Sequence, residues 1–158
     1  MIIPTLIYSF FLFLKLGVRF GLTRELVSAW PLWIGVAAGV NFYRLEKIIK
    51  RYNFYNLYPG GKDESISQNI LFAAGWAVVG LFGMTSTIGF LGKGVVLGVG
   101  LQLAIKVGKD LVEIKEKINL RPERLDWFYL PIKRQLTDRE KKWGGLIFLV
   151  IFAGLSFF

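Results

Sequence analysis

Apolar residues fall in long blocks along this chain, not in the short alternations that mark half-buried strands. Met1 to Leu14 carries no charge, and neither does Ile70 to Gly92. A hydrocarbon core of ~30 Å takes about 20 apolar residues of helix, so blocks of this length read as membrane segments. The pattern predicts an all-α membrane protein with about five transmembrane helices, over residues 2–22, 26–43, 70–91, 94–107 and 143–158. Interfacial amphipathic segments over 44–69 and 108–142 join them, and the whole chain forms one helical membrane domain, 1–158.

Local signals sharpen each segment. Lys15 and Arg19 lie four apart near the end of the first, where long basic side chains reach headgroups by snorkelling; a basic stripe facing a pore is the sharper alternative. Ser28 and Pro31 point to a late helix start in the second, since proline is tolerated only in a first turn. Gly35 and Gly39 make a GxxxG spacing, which lets another helix approach closely. Asn41 in that span counts with Thr85, Ser86, Thr87 and Gln102 as an intramembrane polar candidate. Ser65 to Gln68 fits a capping box opening the third segment. Inside that segment Thr85, Ser86 and Thr87 can bond back to helix carbonyls in a kinked span, or line a re-entrant polar path. Gly92-Lys93 is a short link that predicts an antiparallel hairpin with the fourth segment.

The fourth segment is rich in small residues. Gly94 and Gly98 form one close-packing row, and Gly100, Ala104 and Gly108 form another. Gln102 lies mid-span and is expected to hydrogen-bond to a partner helix. Val107, Leu111, Ile114 and Ile118 keep an apolar stripe going beyond the span, with oppositely charged pairs four apart around it. That stripe reads as a docking face for protein or lipid. Leu120 to Leu136, with Pro122 and Pro131 around Trp127-Phe128-Tyr129, reads as lying along the interface. Thr137 to Glu140 is a second capping box and opens the last helix.

Charge supports a topology. Of the 20 Lys and Arg residues, five fall in 44–69 and eleven in 106–142. Basic excess marks the cytoplasmic side, so the amino terminus is predicted inside and the carboxyl terminus outside in a multi-pass chain. Met1 to Leu22 lacks a basic leader and a cleavage site, and reads as a retained first helix. The net charge of +9 sits beside apolar blocks, which favours anionic lipid headgroups over nucleic acid as partner.

The chain has no histidine and no cysteine. A disulfide framework and a Ser-His-Asp triad are therefore excluded, and zinc or haem sites of the usual kind lose their ligands. No acidic residue falls deep in a predicted span, which argues against a proton relay. Asp63/Glu64, Glu123/Asp126 and Asp138/Glu140 are acidic pairs that could hold a metal but read better as solvated or capping charges. No catalytic residues, metal or cofactor are predicted. The leading expectation is a non-enzymatic integral membrane subunit, a scaffold or accessory component packed with other membrane helices as homo-oligomer or hetero-complex. An oligomeric channel, transporter or lysis-type pore is the alternative, carried by Thr85–Thr87, Gln102 and the Lys15/Arg19 face. A lipid-headgroup enzyme comes third.

Overall fold

The computed structural model describes residues 2–20, 28–51, 70–116, 128–129, 134–135 and 137–157. Among the described residues six helices follow in order: α1 Ile2–Phe20, α2 Pro31–Val40, α3 Phe42–Arg51, α4 Ile70–Thr85, α5 Phe90–Glu116 and α6 Asp138–Phe157. Between α5 and α6, β1 (Phe128–Tyr129) and β2 (Arg134–Gln135) make a two-stranded antiparallel ladder, Phe128 opposite Gln135.

The helix ends follow from local chemistry. Pro31 occupies the first turn of α2, where its missing N–H costs nothing. α4 stops at Thr85, six residues before the expected end of that segment. The Thr85 hydroxyl donates back to Leu81 O at 2.7 Å and that of Ser86 to Gly83 O at 3.1 Å. These bonds close the last turn in place of continued helix. α6 opens on the reciprocal box: Thr137 N donates to Glu140 Oε2 at 2.7 Å, and Glu140 N donates to Thr137 Oγ1 at 3.4 Å.

α5 is the axis of the bundle. α2 packs along it more extensively than any other helix, followed by α6 and α4. Gly35 meets Gly94 and Gly39 meets Gly98, so α2 and α5 run parallel. α4 runs antiparallel to α5: Gly83 lies against Val96 and Trp76 against Gly100. Trp76 Nε1 also donates to Val96 O at 2.9 Å. α6 is antiparallel to α5 as well, with Gly145 at Val107 and Phe152 at Gly100. α1 covers α6 through Tyr8 on Phe152 and Phe11 on Phe157. Leu12, Val36, Leu103 and Val107 are the largest fully buried aliphatic side chains among the described residues.

The outward faces are apolar too. Ile3, Leu6, Ile7 and Phe10 of α1, Val79 and Phe82 of α4, and Ile147 and Val150 of α6 are all exposed. Contiguous apolar surface of this kind marks an interaction face.

This architecture overturns the expectation of about five transmembrane helices. Among the described residues, one helix is long and apolar enough to cross a membrane, α5 over Phe90–Val112, and 61% of its most apolar stretch is buried within the bundle. The other expected spans fall short for physical reasons. Residues 26–43 contain a ten-residue apolar helix that breaks at Asn41, and residues 70–91 a sixteen-residue one that ends at Thr85. α1 carries Lys15 and Arg19 in its final turns, and the first turns of α6 carry Asp138 to Lys142, leaving only Trp143–Phe157 uncharged. Gly92-Lys93 is no link but part of α5, which runs from Phe90 to Glu116 where the sequence pattern placed a span over 94–107. The multi-pass localisation with its inside and outside termini falls with the five spans. So do the bilayer and neighbouring membrane helices as partners, the membrane-subunit function and the channel alternative. The capping box at 65–68, the acidic pairs Asp63/Glu64 and Glu123/Asp126, and most of the 120–136 segment lie outside the described residues.

Candidate functional site

One row of α5, with a residue every four, carries both the tightest contact in the bundle and its most polar interior. The row reads Gly94, Gly98, Gln102, Lys106, Asp110. Residues four apart stay close on a helix surface: α2 meets Gly94 and Gly98 directly, and Tyr43 of α3 meets Lys106.

The first half of the row is backbone on backbone. A Cβ on Gly35 would lie 2.8 Å from Gly94 Cα, and one on Gly39 would lie 2.7 Å from Val99 N. A Cβ on Gly98 would stand 3.0 Å from Gly39 Cα and collide with the Val36 carbonyl oxygen. Only glycine fits at Gly35, Gly39, Gly94 and Gly98, because the atoms in the way are main chain and cannot turn aside.

Asn41 separates the halves. It ends α2 with φ −92° and ψ 6°, and its N–H is shared between Ala37 O at 3.3 Å and Ala38 O at 3.2 Å. Its exposed side-chain amide donates to Ala37 O at 2.8 Å, so Asn41 is a local cap and not an interior polar group. Arg44 N donates to Asn41 O at 2.8 Å, which restarts the helix as α3.

Beyond this break the row turns polar. Gln102 is 1% exposed, Lys106 8% and Asp110 5%, and on α3 Glu46 is 6% exposed. The Lys106 ammonium lies over the Tyr43 ring, 5.5 Å from its centroid. Carrying the register of the glycine half one turn further puts Tyr43 level with Gln102, and a second turn brings Glu46 near the level of Lys106. Charges held this deep are expensive unless paired, and Glu46, Lys106 and Asp110 each have an interaction partner.

Gln102 is the unsatisfied member. Neither its Nε2 nor its Oε1 has a hydrogen-bond partner among the described residues. The bond to a partner helix expected from the sequence is not seen among the described residues. A buried polar group without a partner costs about 1–3 kcal/mol. The amide presents two donors and an acceptor to whatever comes within reach.

The other sequence candidates scatter. Gly100 packs against rings, its Cβ position 2.6 Å from Trp76 Cη2 and 2.8 Å from Phe152 Cδ2. Ala104 is buried, whereas Gly108 has open space around it. Thr85, Ser86 and Thr87 are exposed at the end of α4, line no interior path and sit away from Gln102. Asp138 and Glu140 are exposed, Asp138 with Lys141 at 3.5 Å and Glu140 in the capping box. Among the described residues no cluster of three or more acidic side chains could hold a metal ion.

Sequence reasoning missed Glu46, Lys106 and Asp110 as interior groups, because their runs look like solvated helix ends. The missed signal was register: Lys106 and Asp110 continue the row of Gly94, Gly98 and Gln102 without a slip.

A second polar contact, between α1 and α6, is by contrast fully satisfied. Tyr8 OH and Ser156 Oγ are 2.7 Å apart, Ser156 Oγ donates to Phe152 O at 2.9 Å, and Lys15 Nζ donates to Ser156 O at 2.8 Å. Burial pushes the Tyr8 hydroxyl up to about 12, partly offset by its bond to Ser156. Burial, followed by the nearby charges of Arg19 and Lys93, lowers the Lys15 ammonium below its usual value. The cation at the last carbonyls of α6 complements the negative end of that helix.

Compared with known proteins, the chain matches no family model, no curated protein and no solved structure.

Proposed function

We propose that this protein is a non-catalytic helical binding module, and that its ligand is a small polar molecule taken up at the seam between α3 and α5. One observation carries this reading: the Gln102 amide is 1% exposed with neither polar atom hydrogen-bonded among the described residues. Buried polar groups are nearly always paired, so a bare amide calls for a partner beyond the described residues, and we take that partner to be a ligand. Its chemistry defines the complement, a group with an acceptor beside a donor, as in a primary amide, a carboxylic acid or an amino acid. Lys106 and Asp110, one and two turns along the same row, add a positive and a negative charge that suit a ligand with polar groups at both ends. The binding part of the proposal rests on the Gln102 amide, whose donors and acceptor hold a ligand without a bond being made or broken.

The test is thermal unfolding of the purified protein with short primary amides, carboxylic acids and amino acids in turn. A ligand that binds only the folded state stabilises by about 2.7 kcal/mol at a hundred times its Kd. At least one of these classes should raise Tm in a concentration-dependent way, and the same compound should leave Gln102→Met unmoved. No shift with any class, or an equal shift in Gln102→Met, contradicts the proposal.

A further inference from the structure

We propose that Lys15, Arg19 and Lys93 hold a phosphate-type oxyanion at the end of the bundle where α1 and α6 finish and α5 begins. This site is separate from the polar row, and nothing in it depends on Gln102. Packing register brings the three cations together. Gly145 meets Val107 and Phe152 meets Gly100, so the antiparallel course of α6 puts Ser156 level with Val96 of α5. Lys93 lies three residues beyond that level, about 4.5 Å further along the axis. Lys15 of α1 reaches the same level, because its ammonium donates to Ser156 O at 2.8 Å. Arg19 stands in the last turn of α1, four residues from Lys15 and on the same face. Arg19 and Lys93 are both close enough to push the Lys15 ammonium below its usual value, after the larger effect of its own burial.

The charge at this end is one-sided. Among the described residues the acidic side chains Glu46, Asp110, Asp138 and Glu140 lie toward the opposite end. Asp110 is seventeen residues along α5 from Lys93, about 25 Å, and Glu140 is sixteen residues along α6 from Ser156, about 24 Å. Lys15 and Arg19 complement the carbonyl ends of α6 and α1. Lys93 does not. It stands in the first turn of α5, where unbonded N–H groups already make the helix end positive and a further positive charge is unfavourable. Lys15 and Arg19 also repel each other at their four-residue spacing. An anion relieves these repulsions together. Donors remain for it: the bond to Ser156 O uses one of the three on the Lys15 ammonium, and Arg19, which has a contact of its own, carries five N–H groups. The donor set picks the class of anion. Lysine meets an oxyanion as a point charge and arginine as a planar fork, two devices that suit phosphate. A phosphate monoester carries about 1.5 to 2 negative charges and three acceptor oxygens, enough for three separate cations, whereas a carboxylate offers one charge and two oxygens.

The probe is inorganic phosphate, titrated into the purified protein at constant ionic strength against chloride and followed by its phosphorus NMR line. Saturable binding is expected, with a Kd on the order of 1 mM or tighter. Lys93→Gln and Arg19→Gln should each weaken it by about tenfold, the loss of one charge-assisted contact. Lys142→Gln removes the same charge from an exposed position near the opposite end of α6 and should leave the affinity unchanged. Urea denaturation gives a readout that a purely structural lysine would not move. Without phosphate Lys93→Gln should be at least as stable as the parent, because a repulsion is lost, and saturating phosphate should stabilise the parent and not the variant. A parent that does not saturate overturns the site. So does equal weakening by Lys142→Gln, which would mean that phosphate follows the net charge of +9. A Lys93→Gln protein less stable than the parent without phosphate contradicts the proposal as well, since Lys93 would then be held for the fold. Vesicles containing phosphatidic acid carry the same group on a lipid, and binding to them with no response to free phosphate rules out a site for a soluble oxyanion.

Discussion

The two halves of the α2/α3–α5 seam share one face of one helix and solve opposite problems. In the first half, four glycines remove every side chain between two parallel helices, and the backbones touch. In the second, the same four-residue repeat places Gln102, Lys106 and Asp110, and the space once closed by absent side chains is filled by Tyr43 and polar groups. The difference shows that register along a helix fixes where chemistry goes but not what it does. Residues that continue a packing row become interior whatever their polarity, and the bundle holds buried charge where α2 hands over to α3.

The largest expected effect is in the glycine half. Gly98→Leu drives a side chain into the Val36 carbonyl and the Gly39 Cα, neither of which can rotate away. We expect a loss of about 3 kcal/mol or more, read by chemical denaturation, above the ~1–3 kcal/mol usual for overpacking. A stable Gly98→Leu protein with unchanged cooperativity would mean that α2 can ride out from α5, and the contrast between the glycine half and the polar half would collapse.

The next effect sets the unsatisfied seam against the satisfied one. Tyr8 holds its proton up to about 12 in the folded protein, against 10.0 in the unfolded chain. Its contribution is complete below pH 10 and is lost as pH rises through the folded value. The loss is roughly 2–3 kcal/mol, at about 1.4 kcal/mol per unit. Lys15 acts in the other sense: its lowered folded value means the unfolded chain binds more protons below 10.5, so its effect raises stability with pH and ends there. Between pH 10.5 and 12 the stability of Tyr8→Phe should fall less steeply than that of the parent. Parallel alkaline limbs would show that the Tyr8 hydroxyl is not buried in the folded protein.

The smallest effect sharpens the contrast by a glycine of the same helix. Gly108 has nothing within 4 Å of where a Cβ would stand. Gly108→Ala should therefore stabilise by about 0.5–1 kcal/mol, the ordinary helix-propensity gain. Gly98→Ala on the same helix should do the reverse, because its Cβ meets main chain. If both alanines act alike in equilibrium denaturation, glycine in α5 reflects composition and not contact.

Sequence made some of this legible and hid the rest for physical reasons. The spacing of Gly35 and Gly39, and of Gly94 and Gly98, is visible along the chain, as is the box from Thr137 to Glu140. Spacing does not say which helices a row joins. Gly100, placed in the same class as Gly98, accommodates the Trp76 and Phe152 rings, and Gly108 accommodates nothing. Block length misled most. Apolar runs over 26–43 and 70–91 look like continuous spans, but helix continuity is decided by single residues. Asn41 and Thr85 each turn hydrogen bonds back on the preceding turn and end the element. Lys106 and Glu46 look like headgroup contacts because they sit in basic runs, and only the parallel pairing of α2 with α5, a non-local fact, turns them inward. Tyr8 and Ser156 are 148 residues apart, and no local pattern could join them.

The account turns on whether Gln102 is kept for binding at the cost of stability. Replacing it by methionine keeps the length of the side chain and removes two buried polar atoms that have no partner among the described residues. In the absence of ligand, urea denaturation of Gln102→Met at neutral pH should show a gain of about 1–3 kcal/mol, with an unchanged m value. A loss of stability of similar size would show that the Gln102 amide is already satisfied within the folded chain, and that the seam holds its polar groups for the fold itself.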